Sequence, residues 1–215
     1  LGDALAYLEN LVDEHLPGHV IVDYKGQSQD FRSAGGSILF VMLLGTLVVF
    51  LVLAAQFESW LHPLVIMLTV PLAMAGALLG LYLTGQTLNV YSQIGLIMLI
   101  GLSAKNGILI VEFANQLRDA GRPFHDALFE AAGVRLRPIV MTGITTMAGS
   151  LPLLRSSGAG TETRVVIGTV ILCGVLAATL FTLFVVPVAY DRLAQNTGSP
   201  GDTGRRLERE MQEQD

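Results

Sequence analysis

The sequence predicts a mainly α protein: a polytopic membrane bundle of five transmembrane helices, preceded by the end of a small α/β subdomain. Three observations carry that prediction. Apolar residues make up 52% of the 215-residue chain and charged residues only 14%, where soluble domains carry about a quarter charged. Five stretches approach the roughly 20 apolar residues that a helix needs to cross a hydrocarbon core of about 30 Å. Ahead of them, a helical spacing gives way to a strand-like alternation.

Taken in order, residues 3–15 place Leu5, Leu8, Leu11 and Val12 at helical spacing. Pro17 and Gly18 end that helix, and HVIVDY (19–24) then alternates like a strand. This unit is too small to fold alone, so residues 1–34 are expected to be the end of a subdomain plus linker. The chain opens on Leu1 with no basic segment before an apolar run. No signal peptide is therefore expected, and an upstream part of a longer protein is.

The membrane domain is expected over residues 35–193. Its first span covers 36–55, closed by Gln56, Glu58 and Ser59 with Trp60 as an interfacial aromatic. The second covers 63–83 and stops at Thr84, Gly85 and Gln86. The third, 90–114, is interrupted by the polar sequence SAKN (103–106). A short amphipathic helix over 123–134, with Phe124, Leu128, Ala131 and Ala132 on one face, is expected to lie on the membrane surface. The fourth span, 138–154, is short and rich in Thr and Met, and the fifth, 165–190, is the longest. Residues 194–215 combine Gly, Ser, Pro and charge and are expected to be disordered.

Orientation follows from the cations. One side receives Arg118, Arg122 and Arg135 with the tail arginines Arg192, Arg205, Arg206 and Arg209; the other receives Lys25, Arg32, Arg155 and Arg164. The richer side should be cytoplasmic, which puts the C-terminus in the cytoplasm and the N-terminal segment in the periplasm.

Several function classes drop out. No basic stripe interleaved with aromatics supports nucleic-acid binding, and no P-loop occurs. The four histidines (His15, His19, His62, His125) lie at ends or in loops without metal spacing, and the lone Cys173 sits in an apolar run. No cofactor and no catalytic group are expected; the chemistry left is ion movement.

Lys105 carries that expectation. It lies roughly 15 residues into the third span, and a charged side chain near the bilayer centre costs several kcal/mol unless paired, which makes it a functional candidate. The plainer alternative is a lysine snorkelling to the interface, but ILIVEFA continues for two more turns beyond it. A buried ammonium calls for a carboxylate, and no Asp or Glu sits deep in the other spans. Glu112 shares the face of Lys105 but lies roughly 10 Å along the helix, so it either supports the site or marks the helix end. Asn106, with Ser103, Ala104 and Gly107, either supports the site or only packs helices. Arg135 and Thr142 are seven apart on one face. Arg135 reads equally as a positive-inside anchor, and Thr142 as a residue bonded back to its own helix.

Four separated motifs then resemble the resistance–nodulation–division (RND) efflux pumps: QFESWLHPL (56–64), GLSAKNGILIVEFA (101–114), RLRPIVMT (135–142) and FVVPVAY (184–190). The resemblance implies that the chain matches the eighth to twelfth transmembrane helices of such a pump, after the end of its periplasmic pore-region subdomain. It implies a multi-pass transporter of the inner membrane of a Gram-negative bacterium, driven by the proton-motive force and exporting hydrophobic or amphiphilic small molecules. A homotrimer, a periplasmic adaptor protein and an outer-membrane channel are the implied partners. It further implies that Lys105, Arg135 and Thr142 belong to a proton relay whose two aspartates lie upstream of Leu1. Heavy-metal members usually carry glutamate in place of this lysine, so the multidrug or amphiphile class is implied. An exporter of lipids or metabolites, a related protein-export component and a non-transporting scaffold are the alternatives.

Overall fold

The computed structural model describes residues 2–15, 22–26, 28–29, 32 and 37–194. Its main helices are α1 (Gly2–His15), α2 (Ser37–Phe57), α3 (Leu61–Met67), α4 (Thr69–Leu83), α5 (Val90–Asp119), α6 (Phe124–Leu154) and α7 (Thr161–Ala194). Four segments are long and apolar enough to cross a membrane: Leu39–Phe57, Leu61–Leu83, Val90–Asp119 and Thr161–Ala194. The protein is a mainly α membrane helical bundle.

Helix α7 is the hub, packed most extensively against α4, α6 and α5. In lipid no hydrophobic driving force pushes helices together, so small residues that permit close approach take over. Gly76 of α4 shows this: a Cβ there would lie 2.1 Å from Ala177 Cβ and 3.3 Å from the Cys173 carbonyl oxygen. Two apolar clusters fill the bundle. One groups Phe57, Ile66, Ile110, Val111 and Val186; the other groups Ala73, Leu96, Leu99, Val170 and Ala178. Helix α2 stands apart, with only 6% of its apolar window buried against 56% for α5. Its C-terminal end alone, through Leu53 and Phe57, enters the core.

The observed elements depart from the sequence reading at several points. The second span is broken at Leu68 into α3 and α4. Pro71 explains the break, because it lacks the N–H that would bond the Met67 carbonyl, and Thr69 Oγ1 donates to the Ile66 carbonyl beside it at 2.8 Å. Helix α5 runs five residues past the expected end. Its start is fixed by a capping box in which Asn89 and Ser92 exchange side-chain-to-backbone bonds of 2.9 Å.

The expected surface helix (123–134) and fourth span (138–154) are one continuous helix, α6, with Pro138 inside it. Thr, Gly, Ser and Pro dilute its apolar content, so α6 is not among the four segments that pass on length and composition. Its contacts nevertheless run the height of α7. Phe124 stacks on Tyr190 at one end, Gly143 meets Thr179 midway, and Leu153 meets Gly168 at the other end. Helix α7 itself extends beyond the expected 165–190 at both ends.

Of the strand expected over 19–24, residues 22–24 are irregular, and the rest lies outside the described residues, as does the tail from 195. Among the described residues α1 is joined by side-chain contacts of Glu9 with Tyr24 and Arg32, with no strand beside it.

Candidate functional site

Lys105 projects from the middle of α5, between Ala104 and Asn106, both of which are buried. Contrary to the burial expected of it, its own side chain is exposed on an outer face of the chain. The physical reason is the detachment of α2: the helix that could cover this face touches α5 only sparsely and leaves a groove. That groove, about 350 Å³, is apolar, lined by Val48, Val52, Ala104, Lys105 and Ile108 among others.

On its other flank Lys105 borders a small, more polar recess of about 30 Å³, shared with Asn106, Thr142, Gly143, Thr146 and Ala178. The lysine thus stands on the ridge between an apolar groove and a polar recess. Among the described residues no hydrogen bond or ion pair engages it.

The recess brings together three of the five residues singled out from sequence: Lys105, Asn106 and Thr142. Thr142 Oγ1 donates to the Ile139 carbonyl at 3.0 Å, and Thr146 Oγ1 to the Thr142 carbonyl at 2.8 Å. Both protons are therefore spent on the helix itself, and the hydroxyl lone pairs stay open to a donor such as an ammonium. Arg135 does not line this recess. Its guanidinium lies over the Phe113 ring, 4.6 Å from the centroid, with Nε buried and without a hydrogen-bond partner among the described residues. Glu112 is exposed and outside the recess as well. Arg137, two residues on from Arg135, is exposed, as an interfacial anchor would be.

A second polar constellation was not anticipated. His62, placed in a loop by the sequence reading, is in fact within α3 and 0% exposed; Tyr190 is likewise 0% exposed. The Tyr190 hydroxyl donates to Asn115 Oδ1 at 2.7 Å and accepts from Arg118 Nη1 at 3.1 Å, with His62 Nε2 at 3.3 Å. The Tyr190 ring stacks between His62 and Phe124, at 5.5 Å from each. Beside it His125 pairs with Asp191 at 2.9 Å. These residues come from α3, α5, α6 and α7, so no local spacing could have announced them; the only hint was a polar VEFANQLR end to an apolar span. The cluster ties four helix ends together. Among the described residues no group of His, Cys, Asp or Glu could hold a metal ion.

Comparison with known proteins adds the last observation. The AcrB/AcrD/AcrF family pattern matches residues 1–194. An uncharacterised transporter of Haemophilus influenzae is 44% identical over 200 residues, covering 90% of this chain and 19% of that protein. The toluene efflux pump membrane transporter TtgB of Pseudomonas putida is 40% identical over 198 residues, covering 92% of this chain and 19% of its own length. The multidrug export protein AcrF of Escherichia coli is 43% identical over 190 residues, covering 88% and 18% respectively. The chain therefore spans about a fifth of the length of the curated relatives it matches.

Proposed function

The chain belongs to the AcrB/AcrD/AcrF family of RND efflux transporters, and on that premise we propose that it works within a proton-driven pump exporting hydrophobic or amphiphilic compounds. The observation that carries the proposal is Lys105, a cation midway along a membrane-length helix, facing out of this bundle beside Asn106 and Thr142. An ammonium in that position needs a carboxylate from elsewhere in the transporter. Protonation of that carboxylate removes the attraction, and Lys105 then turns into the recess. There the Thr142 hydroxyl, its own proton already committed to Ile139, accepts from it.

Movement of the α5 ridge relative to its partner helices is the step that couples proton entry to the cargo path. Arg135 serves the same relay from beside Phe113, while Asn106, within the recess, and Glu112, outside it, support the helix that carries the lysine. The proton-motive force supplies the energy and no cofactor is required. The setting proposed is the inner membrane of a Gram-negative bacterium, with the C-terminus cytoplasmic. The pump would act there as a homotrimer joined to a periplasmic adaptor and an outer-membrane channel.

The test is Lys105→Ala in the full-length transporter, expressed at native level in an efflux-deficient strain. Efflux of amphiphilic drugs should be lost while abundance and trimer formation stay at wild-type values. Normal export by that variant would refute the relay. Proton flux in proteoliposomes without protection against any drug would instead point to a lipid or metabolite cargo.

A further inference from the structure

We propose that Thr146 of α6 is a second acceptor for Lys105: a positioning residue one turn beyond Thr142 that shares the ammonium once it leaves its carboxylate. This rests on the relay reading above. Helices α5 and α6 run antiparallel, joined by a turn at Gly121, and Arg135 over the Phe113 ring fixes their register. Seven residues back along α5 stands Asn106, and seven residues on along α6 stands Thr142. One further turn in each helix sets Leu102 opposite Thr146. All four residues line the recess together with Lys105.

Lys105 stands between those two levels, and helical side chains lean toward the helix N-terminus, here toward Leu102 and Thr146. Thr142 and Thr146 are four residues apart on one face, so their hydroxyls are separated by about 6 Å. Two N–H···O bonds of about 2.9 Å span that gap, so one ammonium between them donates to both. The recess, at about 30 Å³, has room for a group of that size. Both hydroxyls already donate to carbonyls of their own helix and can only accept further bonds, as a cation requires. Leu102, Val175 and Ala178 close the recess with apolar side chains. A cation in an apolar span is costly unless several partners replace the lost carboxylate, and Thr146 adds one. Thr145 makes the same back-bond but is exposed and outside the recess, so position rather than residue type sets Thr146 apart.

The experiment compares Thr146→Val, Thr146→Ser, Thr145→Val and Lys105→Ala in the full-length transporter, reconstituted in proteoliposomes. It reads proton flux coupled to an amphiphilic cationic dye as the pH on the proton-entry side is varied. Losing one acceptor disfavours the released lysine, so the carboxylate is protonated, and the lysine freed, only at lower pH. Thr146→Val should therefore cut flux near neutral pH by about tenfold and move the pH of half-maximal flux about one unit toward acid. Acidification should recover the wild-type maximum, which a packing defect would not allow. Thr146→Ser should follow the wild type, and so should Thr145→Val, which removes only a back-bond. Thr146→Ala carries the comparison, with the same shift expected, if the valine variant is not recovered at wild-type abundance. An unshifted profile in Thr146→Val, or in the alanine variant standing in for it, overturns the inference. So does an equal shift in Thr145→Val or a loss that acid does not restore. If Lys105→Ala transports normally, the relay itself fails; if it is inactive while Thr146→Val keeps the wild-type profile, only the role of Thr146 fails.

Discussion

Replacing Tyr190 by phenylalanine separates the hydrogen bonds of the four-helix cluster from its packing. The ring is retained, so the stacks on His62 and Phe124 at 5.5 Å persist. What disappears is the bond to Asn115 at 2.7 Å and the charge-assisted bond from Arg118 at 3.1 Å. A neutral buried hydrogen bond contributes about 1 kcal/mol and one to a charged group about 1.5–3 kcal/mol. The contact with His62 is longer, at 3.3 Å, and adds little. The expected local destabilisation is therefore about 3 kcal/mol. Because the loss is confined to the joined ends of α3, α5 and α7, native-state hydrogen exchange is the suitable assay: it reports opening free energies region by region. Protection of amides around Asn115 and Tyr190 should fall by about a hundredfold, with the opposite end of the bundle unchanged. Protection preserved within about threefold would refute the argument, and would mean that solvent or a rearranged Arg118 replaces the hydroxyl at no cost.

Three further outcomes follow from helix packing and capping. Gly76→Ala drives a Cβ to 2.1 Å from Ala177 Cβ with a backbone carbonyl close behind, so α4 and α7 must separate. A loss of about 2–3 kcal/mol in unfolding free energy in mixed micelles is expected. Gly45→Ala on the exposed α2, where nothing lies within 4 Å, should be neutral or stabilising by up to about 1 kcal/mol. Equal effects at the two positions would refute the close-packed seam. Asn89→Ala removes the capping box of α5 and should cost about 1 kcal/mol, read as faster exchange of the first-turn amides; unchanged exchange there would show that the cap is dispensable.

The sequence by itself determined the solvent and the helical class. Apolar runs of bilayer length can be satisfied only by helices, since lipid offers no partners for exposed peptide groups, so the membrane bundle was legible from composition and run length. Lys105 was legible for the same reason, as a charge in an apolar run. Asn106 could be named as a candidate because it is a polar neighbour of Lys105, and Thr142 because it shares a helix face with Arg135 in a motif that resembles a known family.

Tertiary structure decided what no local pattern encodes. Whether 123–134 and 138–154 are two helices or one depends on continuous packing of α6 along α7, which outweighs the breaking tendency of Pro138. Whether Lys105 is enclosed depends on α2, whose uniformly apolar sequence says it belongs in a membrane but not against which neighbour. His62 and Tyr190 lie 128 residues apart, and their meeting follows from how α3 and α7 pack. The split of the five candidates, with Lys105, Asn106 and Thr142 at one recess and Arg135 and Glu112 elsewhere, has the same origin. Helical spacing fixes a residue's face, and only packing fixes which faces meet.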